Sequence, residues 1–169
     1  LRAAVILGAR TVRLDMGGHE LEMTPEQLDY TVMRYREYAQ FAADHGFRVG
    51  TENHWGASRR IANQLAVIRG VDHPAYGVLL HFSNWADDDP TASERQIAPY
   101  VMHTHVAANV VRDRLLPRMQ CLFDVDYAGY WGVEHHSGAN EYAEVAWQLA
   151  EVRRVLAHRR SGTLETVVP

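Results

Sequence analysis

Hydrophobic and polar positions along the chain follow two alternating periods, and this pattern predicts strands and helices in turn. Apolar residues at every second position, or in one short continuous run, indicate strands at 11–16, 47–52, 76–82, 100–106 and 130–135. The stretch after each strand carries apolar residues three or four positions apart, which is the helical period. Strands that each lead into a helix predict a parallel sheet with right-handed crossovers.

Local signals predict where the helices begin. The segments 24–27 (TPEQ) and 91–94 (TASE) are predicted capping boxes, and Ser58 and Asn140 are predicted N-caps. Pro117 should bend or break the helix that contains it. On the last helix, the inward face is predicted to comprise Tyr142, Val145, Leu149, Val152 and Leu156.

The composition indicates one globular domain covering residues 1–169. Hydrophobic residues make up 47% of the chain and charged residues 22%, which is ordinary for a folded protein. A closed barrel of eight strands needs about 250 residues, so this chain is too short for one, although its alternation of strands and helices is that of such a barrel. No predicted strand is followed by the glycine pattern of a dinucleotide site.

The charged residues and the single cysteine limit the reactions, partners and location that this chain can have. All 17 basic residues are arginines, which excludes a lysine Schiff base and a lysine-dependent phosphate loop in this chain. The net charge of −4 argues against nucleic acid as the main partner. Cys121 is the only cysteine, so the expected location is a reducing compartment, the cytoplasm. No segment is long and apolar enough to predict a membrane span.

Carboxylates and imidazoles gather where the predicted strands end. The second strand ends in TENH (51–54), the third in HFSN (81–84) and the fifth in EHH (134–136), while the fourth contains HTH (103–105). Active sites of parallel α/β folds form at the carboxyl ends of their strands. One residue from each of these strand ends can meet at a single point. Two carboxylates with two imidazoles suit Mn²⁺, Co²⁺, Fe²⁺ or Zn²⁺.

Other polar and aromatic residues near the strand ends leave two interpretations open. Asn84 either binds substrate or caps a turn, and residues 87–89 (DDD) either form a solvated loop or lend a carboxylate to the site. Three tryptophans either form an apolar wall for a ligand or simply pack: Trp55, Trp85 and Trp131. Four histidines contact substrate or belong to supporting loops: His54, His103, His135 and His136.

Taken together, these motifs resemble the xylose isomerase-like barrel family over about residues 1–158. TENH resembles the motif of the family's fifth strand, which ends in a metal-binding glutamate. HTH resembles the His-x-His of the seventh strand, whose second histidine binds metal. The segment 127–129 (YAG) followed by Glu134 resembles the eighth strand, and HFSN aligns with the Asp-x-Gly-Asn type of the sixth. The four motifs occur in order, about one βα unit apart.

The resemblance implies a fold, a site and an activity. The fold would be α/β, a partial (β/α)8 TIM barrel whose five strands resemble strands 4 to 8. A divalent metal would be bound by Glu52, His81, His105 and Glu134. Glu52 and Glu134 would also be catalytic, moving a proton next to a metal-bound carbonyl. Substrate would be bound by His54, Trp55, Asn84 and His103. The implied activity is that of an isomerase or epimerase of carbohydrate metabolism, acting on a sugar or sugar-like keto substrate.

Two departures from the family pattern keep other functions open. His81 stands where the family has an aspartate, so the site would have two negative ligands instead of three. Ala107 and Ala108 stand where the family often has Lys-Asp, which weakens the case for a sugar phosphate. The alternatives are a non-catalytic metal- or sugar-binding relative and an endonuclease-IV-like metal phosphodiesterase. The first three strands are expected from a longer natural chain or from a partner chain, including a second copy.

Overall fold

Five parallel strands form one sheet, and their order in the sheet is their order in the sequence. The structure is a computed structural model, and it describes residues 1–135 and 139–162. The strands are β1 Thr11–Arg13, β2 Arg48–Glu52, β3 Tyr76–His81, β4 Val101–Ala107 and β5 Tyr130–Glu134. All five predicted strands are therefore confirmed, and each differs from its predicted range by at most three residues at an end.

Helices connect the strands and cover one side of the curled sheet. They are α1 Arg2–Ile6, α2 Pro25–Asp44, α3 Ile61–Val71, α4 Pro90–Ile97, α5 Ala108–Asp113, α6 Leu115–Phe123 and α7 Glu141–Ser161. Short 3-10 turns at Gly56–Arg59 and Ala98–Tyr100 precede α3 and β4. The result is a half-barrel with its helices outside, which confirms the predicted partial TIM barrel.

The two faces of the sheet differ because successive side chains of a strand point to opposite sides. The outer face is apolar: Val49, Val78, Leu80 and Val106 are completely buried in the core shared with the helices. The inner face carries the charged and imidazole side chains. In the register of the sheet His81 lies opposite His105, and Glu134 lies opposite Ala107. The inner face is therefore where a polar site can form.

Two of the predicted helix starts are corrected by the structure. The capping box of Thr24 and Gln27 is present, but the TASE box is not. Asp89 is the N-cap of α4, and its carboxylate accepts the N–H groups of Thr91 and Ala92 at 2.9 and 3.0 Å. The two boxes have the same sequence pattern, but Pro90 starts α4 one residue before Thr91.

Ser58 is also not a helix cap. It lies in the 3-10 turn before α3, where its hydroxyl accepts the His54 N–H at 3.1 Å and donates to the Trp55 carbonyl at 2.7 Å. The cap of α3 comes from a distant loop, since the Asp87 carboxylate accepts the Ile61 N–H at 2.9 Å. A search for local caps cannot find such a partner.

The remaining helix predictions hold in part. The helical segment after β4 is broken, but at Arg114; Pro117 lies in the first turn of α6, where a missing N–H is tolerated. Asn140 occupies the N-cap position of α7, but its side chain makes no capping hydrogen bond. On α7, Val152 is buried as predicted, while Tyr142 is 92% exposed. The buried stripe is Gln148, Val152 and Val155.

Within the described ranges, no helix combines the length and apolar character needed to cross a bilayer.

Candidate metal centre

Four side chains from four adjacent strands meet on the inner face at the carboxyl end of the sheet. The Glu52 Oε1 atom lies 2.9 Å from His105 Nδ1 and 3.2 Å from His81 Nδ1. The Glu134 Oε2 atom lies 3.3 Å from the same atom of His81 and 3.4 Å from that of His105. Both imidazoles therefore lie between the two carboxylates. These are the four residues that the strand-end motifs single out.

The spacing of these four donor atoms suits a single metal ion. Ligand atoms at about 2.1 Å from a metal lie roughly 3.0–3.4 Å from their neighbours in tetrahedral or octahedral geometry. The four nitrogen–oxygen distances run from 2.9 to 3.4 Å, and all four donors lie within 4.8 Å of one another. Two carboxylates with two imidazoles also form a donor set that divalent transition metals accept. The residues present fit such an ion.

Glu52 is the most constrained member of the group. It is fully buried, and its Oε2 atom accepts a hydrogen bond from Arg13 Nη1. Burial acts to raise the pKa of Glu52, but the bonds from His105 and His81 and the charge of Arg13 outweigh it. The pKa of Glu52 therefore lies well below its usual range, and the side chain is a carboxylate at neutral pH. Glu134, at 25% exposure, is more accessible.

Asn53 fixes the register between β2 and β3 at their carboxyl ends. Its side-chain amide donates to the His81 carbonyl at 2.8 Å, and its Oδ1 atom accepts the His81 N–H at 2.7 Å. A side chain thus continues the hydrogen-bond ladder beyond the last residue of β2. Because Asn53 is completely buried, it holds His81 beside Glu52 firmly.

Asn84 has a supporting position, in keeping with one of its two predicted roles. Its amide nitrogen donates to the carbonyls of Asn53 at 2.7 Å and His54 at 2.9 Å. The loop after β3 is thereby tied to the loop after β2. Both amide hydrogens are used on backbone, so any substrate contact by Asn84 would be through its oxygen.

The other predicted substrate residues lie around the four-residue group. The His54 and Trp55 rings pack at 4.5 Å between centroids, and the Trp55 side chain remains 45% exposed. His103 lies two residues before His105 on the same strand face, with the ring centroids 5.9 Å apart. Burial and the neighbouring His105 lower the pKa of His103.

The two other tryptophans near the strand ends belong to the packed part of the fold. Trp85 is 5% exposed, and Trp131 stacks on Phe82 at 6.5 Å on the outer face of β5. Of these three tryptophans, Trp55 has the most exposed side chain.

The aspartates at 87–89 do not lend a carboxylate to the group. Asp87 caps α3 and also accepts the Ser93 hydroxyl at 3.0 Å, while Asp89 caps α4. His135 lies 3.3 Å from Glu144 of α7. The prediction for His136 lies outside the described residues.

Arg13 and Asp15 were not among the predicted site residues, although both lie at the site. Arg13 bonds Glu52, and its Nη2 atom lies 3.4 Å from an Asp15 oxygen. Their local signal is the alternation along residues 11–16, which places both on one face of that segment. The contact with Glu52 spans 39 residues, so it depends on the pairing of β1 with β2.

Comparison with known proteins gives a family and a set of similar folds. The family model described as "Xylose isomerase-like TIM barrel" matches residues 1–153. No curated protein sequence matches the chain significantly.

Three solved structures illustrate the similarity in fold. An L-ribulose 3-epimerase aligns with a TM-score of 0.74 at 15% identity, over 99% of this chain and 69% of its own. A xylose isomerase-like TIM barrel protein from Mycobacterium smegmatis, solved with magnesium, gives 0.72 at 16% identity, over 92% and 64%. An AP endonuclease, family 2, from Brucella melitensis gives 0.70 at 19% identity, over 88% and 64%. The chain thus spans about two thirds of the length of each of these proteins.

Proposed function

The chain belongs to the xylose isomerase-like TIM barrel family, and from this premise we propose that it is a metal-dependent isomerase or epimerase of a sugar or sugar-like keto substrate. The observation that carries the proposal is the pair of carboxylates, Glu52 and Glu134, on opposite sides of two histidines. Moving a proton beside a carbonyl requires an acid–base group on one or both sides of the reacting carbon.

Glu52, His81, His105 and Glu134 would bind the divalent ion. When bound, such an ion polarises a carbonyl and fixes its orientation as a Lewis acid. Two histidine ligands and two carboxylates leave the ion's identity open among Mn²⁺, Co²⁺, Fe²⁺, Zn²⁺ and Mg²⁺. A protein of similar fold from Mycobacterium smegmatis was solved in complex with magnesium, which supports a divalent metal of some kind as the cofactor.

The positions of the two glutamates suggest how a proton would move. Glu52 is on β2 and Glu134 on β5, with the two histidine strands between them. A substrate carbon held over the histidines would have one carboxylate on each side. One glutamate would take the proton next to the carbonyl, and the other would return a proton to the opposite face. On Glu52 this step would use Oε2 and displace its bond from Arg13, because Oε1 faces the two histidines. Glu134 is the more accessible of the two and the better placed to exchange its proton with solvent.

The rim of the site offers groups for a polyhydroxylated ring. Trp55 is exposed beside His54 and presents an aromatic surface on which an apolar sugar face can pack. His103 offers an imidazole deeper on β4. The fold similarity to an L-ribulose 3-epimerase supports a carbohydrate substrate, without defining which one.

Exchange of carbon-bound hydrogen with solvent tests this proposal directly. The metal content of the purified chain is measured first by elemental analysis. The Mn²⁺-loaded chain is then incubated with ketopentoses and ketohexoses in deuterated water, and NMR follows deuterium at the carbon beside the carbonyl. We expect incorporation by the native chain and a loss of at least about 100-fold in Glu52→Gln and in Glu134→Gln.

Glu22→Gln is the matched control, because this side chain is 85% exposed. It should exchange like the native chain. The proposal fails if both site variants lose metal while deuterium incorporation is unchanged. A folded, metal-loaded native chain that exchanges no substrate would favour a non-catalytic binding protein.

A phosphodiesterase is the second candidate, because an AP endonuclease is among the similar folds. The net charge of −4 disfavours it, since binding of DNA phosphates requires concentrated positive charge. Cleavage of a duplex containing an abasic site, together with absent deuterium exchange, would replace the first proposal by this one.

A further inference from the structure

The guanidinium of Arg13 lies beside the candidate metal centre, in a position that a second metal ion could also occupy. Its guanidinium is located between two carboxylates: Nη1 bonds Glu52 Oε2, and Nε lies 3.4 Å from Asp15 Oδ1. The two carboxylate oxygens of Glu52 therefore have different partners. Its Oε1 atom faces His81 and His105, while its Oε2 atom is engaged by Arg13.

The surroundings of this guanidinium also form a group of potential metal ligands. Asp15, Glu52 and His54 each offer a donor atom within 4.8 Å of the other two. The Asp15 Oδ1 atom, 3.4 Å from Arg13 Nε, and the His54 Nδ1 atom are both buried, and neither makes a hydrogen bond in the part of the chain that the structure describes. Buried donors and acceptors without partners are rare, and they indicate a place where a further group can bind. Arg13 contacts Glu52 and Asp15 there, but it leaves Asp15 Oδ1 and His54 Nδ1 without a hydrogen bond.

The charges argue against a second ion beside Arg13. Asp15, Glu52 and Glu134 carry three negative charges at the two neighbouring positions. One divalent ion beside His81 and His105, together with Arg13, balances them. A second divalent ion added to that set would leave an excess of two positive charges in a partly buried site, which is unfavourable.

We infer that Arg13 takes the place of a second metal ion, so that it limits the centre to one metal and holds Glu52 as a ligand through Oε1 alone. Arg13 is therefore a positioning residue: it acts on the metal through Glu52. This inference rests on the proposed function for the first metal position only. It also predicts that a second site, made by Asp15, Glu52 and His54, opens when the guanidinium is removed.

Counting Mn²⁺ ions per chain tests the inference. The native chain and its variants are saturated with Mn²⁺, dialysed and measured by elemental analysis, and binding is followed by isothermal titration calorimetry. We expect Arg13→Gln to bind one ion more than the native chain. Arg13→Lys keeps the positive charge and should bind the native number. The double variant Arg13→Gln/Asp15→Asn should return to the native number, because it lacks a ligand of the second site.

Electron paramagnetic resonance gives an independent measure. Two adjacent Mn²⁺ ions are spin-coupled, so Arg13→Gln should show a coupled spectrum, and the native chain should show the six-line spectrum of an isolated ion. The inference is overturned if Arg13→Gln gains no ion, or if Asp15→Asn does not remove the gain. If Arg13→Gln does not fold, the native chain decides: a coupled spectrum at saturating Mn²⁺ overturns the inference.

A native chain without any Mn²⁺ would contradict the proposed function instead, because the first position would then be absent. The number of ions gained by Arg13→Gln over the native chain would still measure the second position. The two proposals can therefore fail separately.

Discussion

At the scale of single residues, the loop after β3 depends on one buried ion pair. Glu94 of α4 is fully buried; it accepts the Ser83 N–H at 2.8 Å and the Arg118 Nη1 at 2.7 Å. Ser83 has a φ of 65°, a left-handed conformation that a serine rarely adopts. The bond from Ser83 to Glu94 holds that conformation and, one residue further on, places Asn84 against the loop after β2. A carboxylate outside the site thus supports its geometry.

Removal of Arg118 should destabilise the fold strongly. Arg118→Met leaves the Glu94 carboxylate buried without its cation, and breaking a buried pair in this way costs about 3–5 kcal/mol. Chemical unfolding at pH 7 measures the loss. Arg154→Met is the matched control: it removes an exposed partner of Glu151, so the free energy of unfolding should change by less than about 1 kcal/mol. Equal losses in both variants would contradict this role of Glu94.

The loss of stability in Arg118→Met should depend on pH. Burial already raises the pKa of Glu94 above its ordinary value, and Arg118 partly opposes that rise. Without Arg118 the pKa of the folded state rises further. An acid with a raised folded-state pKa destabilises the fold progressively as pH rises from its unfolded pKa towards its folded pKa. The stability difference between native and Arg118→Met should therefore shrink as the pH is lowered from 7 to 5.

At the scale of elements, the helices begin where tertiary contacts supply the best cap. The segments TPEQ and TASE look alike, but only the first is a capping box. Asp89 precedes Pro90 and accepts two N–H groups of the first turn of α4, so Thr91 is a helical residue. Asp87, in the same loop, caps α3. One acidic loop therefore orients the two helices that flank β3, the strand that carries His81.

Replacement of the α4 cap should weaken the fold moderately. Asp89→Ala removes the acceptor for Thr91 N–H and Ala92 N–H, and loss of an N-cap costs about 1 kcal/mol. Thermal and urea unfolding measure the change. Thr91→Ala is the control, and its effect should stay within about 0.5 kcal/mol. A larger loss of stability in Thr91→Ala than in Asp89→Ala would instead indicate that Thr91 caps the helix.

At the scale of the whole molecule, the two faces of the half-barrel sheet have different roles. The outer face of the sheet forms the apolar core with the helices, and the inner face carries Glu52, His81, His105 and Glu134. These four side chains come from four different strands, so one ion would connect β2 to β5. That a longer chain or a partner chain supplies the first three strands of a full barrel stays a prediction.

A bound ion should therefore stabilise the entire sheet. At a Mn²⁺ concentration about 100 times its dissociation constant, the free energy of unfolding should increase by about 2.7 kcal/mol. Differential scanning calorimetry with and without a chelator measures the shift. Glu134→Gln should lose most of the gain, whereas Glu22→Gln, which alters an exposed side chain, should keep it. A gain of the same size in both variants would indicate that the ion binds elsewhere.

The sequence alone determined the order of strands and helices and the residues that meet at the strand ends. The order follows from local periodicity, and alternation along a strand decides which side chains share a face. The choice of Glu52, His81, His105 and Glu134 among the strand-end residues came from the resemblance of their motifs to the family. Only the tertiary structure decided the partners of those residues. Arg13 bonds Glu52 across 39 residues, Asp87 caps α3 across 26, and Arg118 pairs with Glu94 across 24. Such contacts depend on strand register and on how loops pack, and no local pattern encodes them.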